Sequence, residues 1–341
     1  MSRQPTSWQP GPALPTGRLN LCVAVSGDVV FAVGGYNFPP PEYKPSVLFL
    51  NTSASGQQWS SALPSMSATR DSFGCGVADG MLYAVGGESA NAPFVLRTVE
   101  RLDLAKAFSS TGVAAQWEPV QSMHLSRSGH AVAVLDGRVY SAGGMANDPS
   151  STVLSSVEAF DPAINRWALL PPMSVPRCYL GLVGHRGAVY AIGGLRDSAH
   201  GKAVSRDVEV YVPGASRWAT LAPLPTASER MAVTSIGPLG IFVLGGCGTR
   251  RPGTHDPCDT LLDRVLCFSP PPHPSAGERG GVGSVAGVWS SAYPRLPAAN
   301  AWFGAVGVRD AELFAVGGGL FYGRNATFRM HVGNSSTARR L

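Results

Sequence analysis

Five arginines occur at the same place in a phrase that the sequence repeats. Each lies 15 or 16 residues before a pair of glycines, and they are Arg18, Arg70, Arg127, Arg177 and Arg230. A guanidinium group stays charged at neutral pH and donates five hydrogen bonds in a fork that fits a carboxylate. Five such groups at equivalent positions of a ring would surround one opening. We therefore predict an arginine-lined site for acidic groups.

The glycine pairs mark six copies of one unit. The first glycines of successive pairs lie 52, 57, 50, 52 and 72 residues apart, and they are Gly34, Gly86, Gly143, Gly193, Gly245 and Gly317. A tryptophan precedes every pair by 26 to 28 residues, at Trp8, Trp59, Trp117, Trp167, Trp218 and Trp289. Six copies of a unit of roughly 50 residues are typical of a propeller or a solenoid.

Each unit contains four short apolar runs separated by turn residues. In the fourth unit these are residues 179–183, 188–192 and 208–211 and the run around Trp218. Runs of this length, rich in Val, Tyr and Phe and bounded by Gly, Pro and Asp, indicate strands. No stretch shows helical periodicity beyond two turns. We predict an all-β protein, a six-bladed β-propeller with four antiparallel strands per blade.

The repeats closely resemble kelch repeats over nearly the whole chain. The shared elements are the strand that ends in a glycine pair (residues 82–87), the Val-Glu-x-Phe third strand (residues 157–162) and the spaced tryptophans. The resemblance implies one disc-shaped domain over residues 1–341. The segment around Trp8 should then close the ring by joining the three last strands of the chain, which end near residues 327–332.

The same resemblance implies where a ligand would bind. In kelch domains that hold peptides, loops at one mouth of the channel form the binding surface, and arginines at the matching position contact acidic groups. Tyr36, directly after the first glycine pair, occupies a slot where similar domains place a ligand-contacting tyrosine. A structural alternative stays open, in which each arginine pairs with an acidic residue of a neighbouring blade. The sixth blade offers Asn300 and Ala301 instead of an arginine.

Composition favours a protein partner over other ligands. The net charge is +5, but the basic clusters at residues 250–251 and 339–340 are short and lack interleaved aromatic residues, so we expect no nucleic-acid binding. No apolar run is long enough to cross a membrane, and the start lacks a signal-peptide core, so we expect a cytoplasmic protein. Cys22, Cys75 and Cys178 should then be buried thiols.

Cofactor chemistry has little support in the sequence. Cys247, His255, Cys258 and Cys267 lie within 21 residues, but their spacing does not match a zinc module, and no nucleophile or nucleotide motif occurs. We expect no metal and no cofactor. Residues 269–287, rich in Pro and Gly, are predicted to be a flexible insertion, and residues 333–341 a C-terminal tail.

These observations favour a non-catalytic interaction module, an adaptor or scaffold that binds a partner protein, with an acidic peptide as the ligand. Two alternatives remain. Six-bladed kelch proteins include a sialic-acid mutarotase, and an arginine ring would also suit a carboxylated sugar. A purely structural subunit is the other alternative. The oligomeric state is left open by the sequence.

Overall fold

The computed structural model describes residues 7–37, 42–109, 114–148, 150–198, 201–250, 258–271, 287–318 and 325–332. It confirms the predicted propeller: six small antiparallel sheets, one per repeat, surround a central channel. The innermost strand of each sheet contacts the innermost strands of the two neighbouring sheets. The last blade contacts the first in the same way, so the ring is closed.

The strands of the first three blades, in chain order, are β1 (Gln9–Pro10), β2 (Cys22–Ser26), β3 (Val29–Val33), β4 (Tyr36–Asn37), β5 (Glu42–Tyr43), β6 (Val47–Asn51), β7 (Gly74–Ala78), β8 (Met81–Glu88), β9 (Val95–Asp103), β10 (Trp117–Val120), β11 (Ala131–Leu135), β12 (Arg138–Ala142), β13 (Val157–Asp161) and β14 (Arg166–Leu170). A single helical turn, α1 (Leu104–Ala107), follows β9, and the Asp103 side chain caps it by accepting from the Lys106 backbone N–H.

The strands of the last three blades are β15 (Gly181–His185), β16 (Ala188–Ile192), β17 (Leu195–Ser198), β18 (Gly201–Val204), β19 (Val208–Tyr211), β20 (Ala219–Thr220), β21 (Ala232–Ile236), β22 (Gly240–Leu244), β23 (Cys247–Thr249), β24 (Thr260–Leu261), β25 (Val265–Ser269), β26 (Val288–Ser290), β27 (Gly304–Val308), β28 (Glu312–Val316) and β29 (Thr327–His331). Two-stranded hairpins (β4–β5, β17–β18, β23–β24) follow three of the glycine pairs.

The N-terminal segment closes the ring as predicted. Strand β1 pairs with β29, with Gln9 opposite Arg329 and Pro10 opposite Phe328. It supplies the outer strand of the sixth sheet, whose order is β1-β29-β28-β27. Blade one differs slightly, since a single bridge between Phe49 and Ser60 takes the place of its fourth strand.

The repeated tryptophans join each outer strand to the segment that enters the same blade. The Trp59 indole N–H, for example, donates to the Pro12 carbonyl at 3.0 Å, and that of Trp218 donates to Pro171 at 2.9 Å. The other four make the equivalent bond, with acceptors Pro294, Pro64, Gln121 and Ala222. Each indole therefore buries its apolar face while its only donor stays bonded.

The glycine pairs are required by contacts between neighbouring blades. Gly34 and Gly35 both have positive φ, at 60° and 84°. A Cβ on Gly34 would lie 2.8 Å from the Phe73 ring of blade two, and one on Gly35 would lie 2.6 Å from the Leu19 carbonyl oxygen. The Gly35 N–H also donates to the Arg70 carbonyl at 2.8 Å, and this bond between blades recurs at all six pairs. Only glycine fits both demands.

The insertion of blade five lies between its third and fourth strands, β25 and β26, as expected. Residues 272–286 of that insertion and the tail at residues 333–341 lie outside the described residues. No helix among the described residues is long and apolar enough to span a membrane.

Candidate binding site at the channel mouth

Four of the five predicted arginines do not reach the channel. At most 1% of Arg18, Arg70, Arg127 or Arg177 is exposed. We call these four the staple arginines, because each guanidinium ties strands of its own blade together. Arg127, for example, donates to the carbonyls of Gly143 (2.9 Å) and Ser156 (3.0 Å). The expectation that these side chains line the mouth is therefore corrected, since their donors are used inside the blades.

Three staple arginines also form a buried ion pair with the glutamate of the third strand. The pairs are Arg70–Glu100 at 3.0 Å, Arg127–Glu158 at 2.8 Å and Arg177–Glu209 at 2.7 Å. The partner comes from the same blade, whereas the structural alternative had placed it in a neighbouring one. Arg18 lacks such a glutamate because Leu48 stands in its place, and burial lowers the pKa of Arg18 to about 10.

Arg230 belongs to a different register. The residues that bond the glycine carbonyl in blades five and six are Ser228 (to Gly245, 3.1 Å) and Asn300 (to Gly317, 3.1 Å). The turn between the first two strands has three residues in these blades, for instance residues 237–239, but two in blade one. Spacing counted back from the glycines therefore misaligns Arg230 by one residue. Arg230 stands two residues beyond the staple position, at the mouth.

Six residues at this position form a ring around one end of the channel. They follow the staple position by two residues in every blade, and we call them the mouth ring: Asn20, Ser72, Gly129, Tyr179, Arg230 and Trp302. All six have left-handed backbone, with φ between 48° and 60°. Five backbone hydrogen bonds of 2.6 to 3.3 Å join members of neighbouring blades, from the N–H of one to the carbonyl of the one before.

Arg230 lies between two aromatic side chains of this ring. Its guanidinium carbon is 3.6 Å from the centre of the Tyr179 ring and 5.3 Å from that of Trp302. Its Nη1 donates to the buried Glu229 at 2.9 Å, and Arg250 reaches the same carboxylate at 3.3 Å. Burial raises the pKa of Glu229, while Arg230, Arg250 and then Lys202 oppose that rise. Three cations thus surround one carboxylate, and the local charge is positive.

The channel below the mouth ring is narrow and largely apolar. The ring borders a cavity of about 110 Å³, and one of about 160 Å³ continues between the inner strands. Cys22 and Cys75 line this second cavity and form a disulfide between blades one and two. Cys247 and Cys258 form another on the hairpin of blade five. The expectation of free thiols is wrong for Cys22 and Cys75, whereas Cys178 is a buried thiol.

His130 is a buried polar residue beneath the ring that the sequence did not single out. It is 6% exposed, and neither ring nitrogen has a hydrogen-bond partner among the described residues. Burial, and next the charge of Arg127, lower its pKa to about 3. The equivalent residue of blade two is Phe73, and both side chains pack against glycine pairs. His130 is therefore a neutral packing residue at neutral pH.

Tyr36 lies on the mouth face, as the resemblance implied. It bridges to Leu19, two residues after Arg18 in the chain's staple segment, and its ring lies 5.9 Å from that of Tyr43. Cys247, which follows the glycine pair of blade five, makes the equivalent bridge to Glu229. Among the described residues no three His, Cys, Asp or Glu side chains gather in a way that could hold a metal ion.

Comparison with known proteins places these repeats in a family. A family model described as "Kelch motif" matches residues 126–174 and 176–225. Kelch-like protein 15 of Danio rerio is 28% identical over 245 residues, which are 66% of this chain and 38% of the relative. Kelch-like protein 41b of Danio rerio is 27% identical over 237 residues, 68% of this chain and 36% of the relative. The chain thus spans little more than a third of these relatives.

Two further similarities extend the comparison. Beta-scruin of Limulus polyphemus is 31% identical over 161 residues, 46% of this chain and 17% of the relative. A solved structure titled "Structure of YjhT" superposes with a TM-score of 0.71 at 16% identity, covering 94% of this chain and 95% of that one. That similarity shows the fold alone. With six matching blades and the repeat sequences described above, this chain is a kelch-repeat β-propeller.

Proposed function

We propose that this chain is a non-catalytic interaction module, an adaptor or scaffold that holds a segment of a partner protein on its mouth face. Tyr179, Arg230 and Trp302 would make the principal contacts. One observation carries the proposal: these three large side chains occupy a left-handed backbone position. Glycine and asparagine adopt that conformation most readily, and Gly129 and Asn20 hold the same position in other blades. Local folding preferences therefore do not account for Tyr, Arg and Trp here.

The side-chain types support a protein ligand. Trp, Tyr and Arg are the residues that most often dominate protein–protein interfaces, because they bring large contact area and directional hydrogen bonds. The excess of positive charge around Glu229 favours an acidic group on the partner, which Arg230 and Arg250 would approach. Cytoplasmic location and the acidic nature of the segment are parts of this proposal.

The size of the cavity favours a surface contact over a small-molecule site. The described residues of the mouth enclose about 110 Å³, whereas sites for small molecules usually occupy roughly 300 Å³ or more. A sugar acid would fit poorly, although an enzyme acting on a carboxylated sugar remains the rival function. A structural subunit held by its outer edges is the other rival.

Affinity purification with three matched proteins separates these functions. The wild type is compared with a mouth variant, Arg230→Gln with Trp302→Gly, and with Arg138→Gln, which removes an exposed arginine paired with Asp161 on blade three. Partners should be recovered with the wild type and with Arg138→Gln but not with the mouth variant. Because interface hot spots contribute 2 kcal/mol or more, the measured affinity should fall at least about 30-fold.

Two results would contradict the proposal. Equal recovery of all partners by the three proteins would place the interface elsewhere on the disc, as expected for a structural subunit. Conversion between the anomers of sialic acid by the wild type, followed by NMR and absent from the mouth variant, would assign the site to an enzyme.

A further inference from the structure

A second charged cluster lies on the mouth face, on the side of blades one and two. Tyr36 and Tyr43 stand opposite each other in the β4–β5 hairpin. Asp71 and Glu88 stand opposite each other in blade two, where the backbone N–H of each donates to the carbonyl of the other at 3.0 and 2.8 Å. We call these four residues the acidic sector. They share one electrostatic environment, since burial and then Asp71, Glu88 and Tyr36 raise the pKa of Tyr43.

The acidic sector has no internal countercharge. No ion pair among the described residues involves Asp71 or Glu88, and Lys44 pairs instead with Glu42 at 2.5 Å. Asp71 is 4% exposed; its Oδ2 accepts from the Asn20 amide at 3.2 Å, while its Oδ1 has no hydrogen-bond partner. Burial and the neighbouring Glu88 raise the pKa of Asp71 to about 7. A buried carboxylate of this kind gains most from an added cation.

Blade five shows which group compensates a carboxylate at this position. Glu229 is the equivalent of Asp71, since each directly follows the staple position and bridges to the residue after the glycine pair. Glu229 is buried too, but it has two guanidinium partners, Arg230 at 2.9 Å and Arg250 at 3.3 Å. In blade two the residue that corresponds to Arg230 is Ser72, so the guanidinium is missing there.

We propose that the acidic sector binds a basic side chain, a lysine or an arginine, of the partner segment. Glu88 would make the direct ion pair, Asp71 would add negative charge behind it, and the faces of Tyr36 and Tyr43 would flank the cation. An organic cation is favoured over a metal ion because only two carboxylates meet here and aromatic rings line the remainder.

This inference rests on the proposed function and refines it. Asn20 connects the two sites, because its N–H donates to the Trp302 carbonyl at 3.1 Å while its side chain donates to Asp71. A single segment lying across the mouth would therefore meet positive charge near Arg230 and negative charge near Glu88. The partner segment would carry both an acidic and a basic residue, placed in the order of these two sites.

The test uses small probes that carry one charge each. N-acetyl-arginine methylamide is titrated against the intact chain by ligand-observed NMR, and the neutral N-acetyl-citrulline methylamide serves as its isostere. The arginine probe should bind at least about fivefold more tightly than citrulline. Glu88→Gln should abolish this preference, while Arg230→Gln, at the other site, should leave it intact.

A second variant guards against loss of the fold. Glu88→Lys would supply the missing cation within the chain, so it should stay folded and should also lose the preference for the arginine probe. Equal binding of citrulline and arginine to the wild type would overturn the inference, and so would displacement of the arginine probe by an equal concentration of calcium chloride. Neither result would affect loss of the partner by the Arg230→Gln, Trp302→Gly variant, so the proposed function is judged separately.

Discussion

Replacement of Arg127 by methionine is expected to destabilise the protein strongly although it removes no part of the mouth. The guanidinium is fully buried and makes four hydrogen bonds, to Gly143 O, Ser156 O, Ser156 Oγ and Glu158 Oε1. Methionine has similar length but no donor. The carboxylate of Glu158, which is also 0% exposed, would lose its charged partner and keep only the donors of His124 and Leu125.

The magnitude follows from the burial of both charges. Removing one partner of a fully buried ion pair costs about 3–5 kcal/mol, because the other charge stays buried without compensation. An unfolding entropy of roughly 2.1 cal/mol/K per residue gives about 0.7 kcal/mol/K for this chain, so the thermal midpoint should fall by about 4–7 °C. Adding Glu158→Leu should recover much of this loss, since blade five combines Ser228 with Leu266 at the same two positions.

The assay is denaturant unfolding of the single and double variants, with Arg138→Met as a matched control. Arg138 lies on the same blade and pairs with Asp161 at 2.8 Å, but its side chain is 55% exposed, so its loss should cost less than about 1 kcal/mol. A loss below about 1 kcal/mol for Arg127→Met, or no recovery on adding Glu158→Leu, would show that this arginine is not a buried staple.

Three further outcomes are expected. His130→Phe should flatten the decline of stability as pH falls from about 6.5 to about 3, because the unfolded chain binds a proton in that range that buried His130 refuses; an unchanged acid limb would mean that His130 is accessible. Asp71→Asn should remove a decline in stability as pH rises from about 4 to about 7, since the folded wild type holds the Asp71 proton longer than the unfolded chain does; pH titration of the two proteins by chemical unfolding checks this. Deletion of residues 1–14 should lower the thermal midpoint and promote aggregation, because β29 would lose its pairing with β1, and an unchanged midpoint would contradict that role.

The fold could be predicted from the sequence because each repeat carries its own signal. Six glycine pairs and six tryptophans in register fix the number of blades, and a fourth-strand tryptophan at residue 8 fixes the closure by the N-terminal segment. The glycines had been assigned to crowding at the axis. The structure instead shows the neighbouring blade as the cause, since Phe73 of blade two packs against Gly34 of blade one.

The candidate site was harder to predict because spacing alone does not give side-chain direction. Arg127 and Arg230 look equivalent when counted back from their glycine pairs, yet one is enclosed in its blade and the other lies at the mouth. The Val-Glu-x-Phe strand contained a usable signal: Glu100, Glu158 and Glu209 occur only in blades that also have a staple arginine. The disulfide between Cys22 and Cys75 had no local signal, since its cysteines lie 53 residues apart.

Amide hydrogen exchange with and without a recovered partner would locate the bound segment most directly. If the partner lies on the mouth face, exchange should slow in the mouth-ring segments around Tyr179, Arg230 and Trp302 and in the β4–β5 hairpin. Exchange in the turn between β13 and β14, between the third and fourth strands of blade three, should not change. Protection confined to that turn or to the outer strands, with the mouth-ring segments exchanging at their free rate, would contradict partner binding at the mouth.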